Sequence, residues 1–195
     1  MKYNKENGII AIDMNASSIH LAVAEVSKTG ELLSYQTISL HHLLGLSQNS
    51  KDQQGWILAH QIVDLAIEKG KAIAIENLKK LGKGMRGDGK AELRKKLHQR
   101  NAKKFLQKLK RVAMLKGVEV VEVHPAYTLI IGMLKYAPQL SIDKDIAGAY
   151  VIGRRALGFK EDMPENYEKL LKDKTYLEFA LKRYEEREEA TLPLL

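Results

Sequence analysis

Gly8-Ile9-Ile10-Ala11-Ile12-Asp13 and Lys71-Ala72-Ile73-Ala74-Ile75-Glu76 decide the fold. Each is a short apolar run, rich in β-branched side chains, that closes on one acid. Such a run reads as a buried strand with a carboxylate at its carboxyl end. If the two strands lie side by side and parallel, Asp13 and Glu76 emerge at one sheet edge, where open α/β sheets place their sites.

Outward from the first run, residues 19–26 read as a second strand, Ser27-Lys28-Thr29-Gly30 as a turn and residues 31–39 as a third strand. These three runs form an antiparallel meander. Residues 41–54 read as a polar loop, and a helix over 56–69 stops at Gly70. Beyond Glu76, residues 82–89 hold four glycines but no GK[ST] step after a strand, so they form a basic loop and not a P-loop. Residues 91–116 are a long helix with Leu93, Leu97, Phe105, Leu109 and Val112 as its buried stripe. A fifth strand over 118–123 breaks at His124-Pro125, and 127–141 reads as irregular. A helix over 145–155 turns Ile146, Ala149, Tyr150 and Ile152 inward, and 164–190 is acidic and helical. The order β-β-β-α-β-α-β-α predicts an α/β domain with a mixed five-stranded sheet and helices on both faces. That domain is expected over residues 1–160, with 161–195 as a C-terminal acidic helical extension.

The chain has 195 residues, 45% hydrophobic and 29% charged, enough for one core. No apolar run approaches the roughly 20 residues that span a bilayer, and no signal peptide is evident, so a cytoplasmic protein with no membrane partner is expected. Absence of cysteine excludes disulfides, thiol catalysis and cysteine-based zinc sites. The net charge of +8 is focused: residues 79–116 carry fifteen lysines and arginines against only Asp88 and Glu92. Such a concentration attracts phosphate backbones. Lys79, Lys83, Arg86, Lys95, Arg100 and Lys104 are the candidate nucleic-acid contacts, and a solvated helix face is the plain alternative.

A third acid is available in Ile142-Asp143-Lys144-Asp145-Ile146-Ala147-Gly148-Ala149-Tyr150. Three carboxylates in one small site repel one another, a cost that a divalent cation removes. Oxygen-only ligation favours Mg²⁺ or Mn²⁺, and two such ions about 4 Å apart would stabilise both oxygens of a phosphodiester displacement.

The stretches around Asp13, Glu76-Asn77-Leu78 and Asp145-Ile146-Ala147-Gly148-Ala149-Tyr150 resemble, in order, the three split motifs of a RuvC-type nuclease domain. The likeness is to the TnpB (OrfB-like transposase) family, related to the type V CRISPR effector nucleases, and covers about residues 8–158. It implies an RNase H-like fold and a two-metal DNA endonuclease whose metal-binding catalytic acids are Asp13, Glu76 and Asp145. Asp145 is preferred over Asp143 because it stands two residues before the small-residue pair. Asp13 would bridge both ions, Glu76 and Asp145 would each complete one shell, and products would carry 5′-phosphate and 3′-hydroxyl ends. DNA, single-stranded or displaced, is the implied partner. The chain departs from the family in lacking a zinc ribbon, so no zinc is expected, and in having Ala147 for an asparagine. It also lacks the region that precedes the first motif and holds guide RNA and target duplex. An excised domain, a stand-alone relative or a remnant is therefore expected, with guide RNA reached only through that missing region. RuvC resolvases dimerise, which leaves room for a homodimer.

Two other readings compete: a catalytically silent nucleic-acid-binding remnant, and a phosphotransferase of the actin and sugar-kinase kind, which would need a glycine at Asn15. Among lesser candidates, His41 and His42 read as surface residues and His20 as a strand residue. His124 lies near the expected site, and Trp56 reads as a helix anchor.

Overall fold

The computed structural model describes residues 1–14, 20–43, 45–78 and 89–163, with side chains in the last stretch from 101 onward, and residues 165, 166, 169 and 172–175. Five strands form one sheet: β1 (Ile9–Met14), β2 (His20–Val26), β3 (Leu32–Ser39), β4 (Ala72–Glu76) and β5 (Val120–Val123). Their order is β3-β2-β1-β4-β5. The β1–β2 and β2–β3 pairs are antiparallel, and β1–β4 and β4–β5 are parallel. The protein is thus α/β with a mixed five-stranded sheet, an arrangement consistent with an RNase H-like fold.

Side-chain alternation sorts the two faces. Ile10, Ile12, Ile73 and Ile75 point to a core built with α1 (Gln48–Glu68) and α2 (Gly89–Lys116). Ile9, Ala11, Ala22, Ala24, Ala72 and Ala74 point the other way, to α5 (Lys144–Ala156). The first face buries bulky isoleucines, each contributing about 1.5–3 kcal/mol. The second is paved with alanine, so α5 comes close to the sheet. At Gly153 a β-carbon would stand 2.6 Å from Val26 Cγ2 and 3.1 Å from Ala11 Cβ. The contact depends on the missing side chain.

Two expectations about connections are corrected. Residues 48–54 are not loop: α1 begins at Gln48, with Ser47 as N-cap accepting from the Ser50 N–H. Its first turns are mostly exposed and polar, so they show no apolar period. Residues 127–141 are not irregular. They form α3 (Thr128–Ile131), a π-turn (Gly132–Tyr136) and α4 (Ala137–Leu140). Pro138 sits in the first turn of α4, where its missing N–H costs little. This helical stretch packs backbone to backbone on α5: a β-carbon on Gly132 would lie 2.7 Å from Gly148 N.

Glu161 closes the domain from outside. Its buried carboxylate accepts from Tyr136 Oη at 2.8 Å, from Lys135 Nζ at 3.2 Å and from Arg154 Nε. Most of the acidic helix expected over 164–190 lies outside the described residues. Among the described residues, no helix is long and apolar enough to cross a membrane.

Candidate active site

Asp13 follows Ile9 and Ala11 in the alternation, and Glu76 follows Ala72 and Ala74, so both acids project from the α5 face. The β1–β4 register pairs Ile9 with Ala72 and Ala11 with Ala74. The ladder ends there; the same offset carried two residues further matches Asp13 with Glu76, whose charge reaches Asp13. Asp145 enters from above, in the first turn of α5. Asp143 has a different role: it is the N-cap of α5, and its carboxylate accepts the Asp145 N–H at 2.7 Å.

Gly148 completes the approach. It lies three residues after Asp145, on the same side of the helix. A β-carbon there would stand 2.6 Å from Asp13 Oδ2. The Asp13 carboxylate therefore rests against bare helix backbone.

Electrostatics mark the same place. Asp13 is buried, and burial raises its pKa well above the usual carboxylate range. The charges of Glu76 and Asp145 raise it further, while Lys144 pulls it down. Asp145 is pushed up to about 6 by burial and then by Asp143, again against Lys144. Glu76 is raised by burial, against the Thr128 hydrogen bond and the Arg155 charge. Each of the three carboxylates thus resists ionising, and the charges of Glu76 and Asp145 both reach Asp13. Among the described residues, no three His, Cys, Asp or Glu side chains are already drawn to ligating distance of one point. The donor set itself is hard, anionic oxygen, which suits Mg²⁺ or Mn²⁺.

A supporting chain holds Glu76. Arg155 Nη1 donates to the carbonyls of His124 and Ala126, both at 2.8 Å. That ties the loop after β5 to α5. Tyr127 then takes the left-handed conformation, φ 62°, and delivers Thr128, whose hydroxyl donates to Glu76 Oε1. Sequence reading missed Arg155, Thr128 and Gly148. The first two act through backbone carbonyls or one hydroxyl, which leaves no motif; Gly148 was visible only as a member of a small-residue run.

The remaining candidates divide. Lys79, Lys83 and Arg86 lie outside the described residues. Lys95 and Arg100 fall on α2 at positions whose side chains are outside the described set. Lys104 is exposed on α2. Toward the C-terminal end of α2, Lys108 pairs with Asp52, Lys110 with Glu122, and Lys116 with Asp64. Part of the basic helix therefore answers charges of the protein itself. His124 is exposed, and its Nδ1 accepts the Ala126 N–H at 3.1 Å, a turn contact. His41 and His42 are exposed, and His20 meets His41 edge to face at 5.5 Å. Trp56 packs on the α1–α2 core, with Lys108 Nζ 5.4 Å from its ring. Asn15, where the phosphotransferase reading needs a glycine, lies outside the described residues.

No protein-family model matches the chain, and no curated protein does.

Proposed function

We propose that this chain is a divalent-metal-dependent endonuclease domain of the RuvC type, similar to the TnpB family, and that it cleaves DNA phosphodiester bonds in the cytoplasm. The observation that carries the reading is Asp13: a buried carboxylate whose nearest charged neighbours include two further carboxylates, one from the adjoining strand and one from α5. A fold tolerates that repulsion when a cation answers it. Asp13 would hold both Mg²⁺ or Mn²⁺ ions, with Glu76 on one and Asp145 on the other. Such ions, when bound, activate water and stabilise the attacking and leaving oxygens. The chain's own part is geometric. Gly148 admits Asp13, Thr128 orients Glu76, and burial shields the Asp13 carboxylate while Glu76 and Asp145 stay half-buried. The positive helix α2 would hold the strand through its phosphates, with little sequence preference.

A second reading is a silent DNA-binding module. It draws support from the same acids, which among the described residues are not yet gathered to ligating distance. One experiment separates the two. The parent chain and its Asp13→Ala and Glu76→Gln variants are titrated with Mn²⁺ and assayed for cutting of single-stranded DNA. Saturable Mn²⁺ binding and cutting that both vanish in the variants support the nuclease. Equal cutting by Asp13→Ala and parent removes these acids from the reaction. DNA binding without a Mn²⁺ site establishes the module.

A further inference from the structure

Across the sheet from the acids, a cavity of about 410 Å³ opens between the end of β1, the β3–α1 connection, α1 and α2. That volume is within the range of small-molecule sites, about 300–1,000 Å³. Its floor is apolar, formed by Met14, Ile38, Leu58 and Phe105. Met14 follows Asp13 in β1 and packs on the opposite face, so the cavity starts one residue from the candidate site. Its rim is cationic, with Lys51, Lys104 and Lys108. Among the described residues the rim holds one carboxylate, Asp52, which accepts from Lys108 Nζ at 2.6 Å and so engages that lysine.

Gly55 adds a second observation. It lies inside α1, where glycine is disfavoured against almost every other residue. A β-carbon there would stand 3.1 Å from Lys108 Nζ. The missing side chain lets Lys108 lie against the α1 backbone at the cavity wall, where its Nζ bonds Asp52.

We propose that this cavity takes one nucleotide unit of a single strand, with the base on the apolar floor and the phosphate on the lysine rim. An apolar ligand would have no use for the cations, and a bare anion none for the floor. A nucleotide uses both, since every base offers a π-face and every phosphate a charge. The position rests on the nuclease reading: the cavity is lined by Met14, the residue after Asp13 in β1.

Isothermal titration of the chain with thymidine 5′-monophosphate, in EDTA, tests the site. Thymidine and inorganic phosphate serve as separate arms. The monophosphate should bind saturably and at least about tenfold tighter than either fragment. Gly55→Leu, which fills the wall, and Lys104→Glu, at an exposed position, should each weaken it by about tenfold or more with unchanged circular dichroism. Phosphate binding as tightly as the nucleotide overturns the proposal. So does binding unaltered in both variants, or no saturable heat up to roughly 10 mM. EDTA makes the measurement independent of the acids. Nucleotide binding without Mn²⁺-dependent cutting removes the nuclease reading alone, and cutting without nucleotide binding removes this site alone.

Discussion

Asp13 and Gly148 touch: the carboxylate of one occupies the space where the other would carry a β-carbon, 2.6 Å from Oδ2. One strand end and one helix face are thereby fixed against each other, and the site inherits its spacing from that contact.

Gly148→Ala should separate cation binding from stability. Alanine improves helix propensity by up to about 1 kcal/mol, while the displaced atom is the tip of a side chain that can turn aside. The melting temperature should change little, and Mn²⁺ affinity should fall about tenfold or more. Gly132→Ala should do the reverse. Its new methyl would meet the backbone of Ala147 and Gly148, at 2.7 Å. Urea denaturation should show a loss of about 1–3 kcal/mol.

Removing the Arg155 clamp should act through Glu76. Arg155→Lys keeps the charge but loses the planar Nη1 group that bonds both carbonyls. Mn²⁺ affinity, read by calorimetry, should drop about 10–100-fold. Thr128→Val should give a similar drop without touching Arg155. An affinity equal to the parent's in both variants would show that the chain through the β5 loop does not set Glu76.

Metal-free stability should decline as pH rises. The folded-state pKa values of Asp13 and Asp145 are raised, so the fold binds protons more tightly than the unfolded chain does. Their contribution is greatest below the ordinary carboxylate value of about 4. It is lost as pH climbs through the folded values, about 6 for Asp145. In EDTA the melting temperature should therefore fall between these limits and beyond. Asp13→Asn should flatten the fall and exceed the parent near neutral pH, and Mn²⁺ should restore the parent there.

Glu161 has the opposite sign. Burial raises its pKa, but the bonds from Arg154, Tyr136 and Lys135 outweigh burial and hold it below the usual range. Its contribution is present above the ordinary glutamate value of about 4.3 and is lost as pH falls through the lower folded value. Glu161→Ala leaves Arg154 and the Tyr136 hydroxyl without this acceptor, and urea denaturation should show a loss of about 3 kcal/mol or more.

The sheet was legible because its signal is local and doubled. The alternation of isoleucine with alanine in β1 and β4 marks two buried faces, and the closing acid marks the edge. The start of α1 was not legible, since Gln48 to Gln54 form helix turns with little apolar burial. Nor were α3 to α4: Gly132 and Pro138 read as breakers, yet one is a close-packing residue and the other sits in a helix first turn. At the candidate site, Asp13 and Glu76 could be named because charge at the end of an apolar strand is conspicuous, whereas Asp145, in the first turn of a helix, was singled out by the resemblance. Their supports could not, because Arg155 speaks to carbonyls that every residue carries.

The close seating of α5 has a consequence for how this protein can change. Gly132 and Gly153 leave no slack between the helix and its surroundings, so a substitution that thickens either shifts the whole rod and not one side chain. Laboratory evolution of this chain should therefore leave those two positions untouched and retune reactivity from the rim, through residues that α5 does not carry.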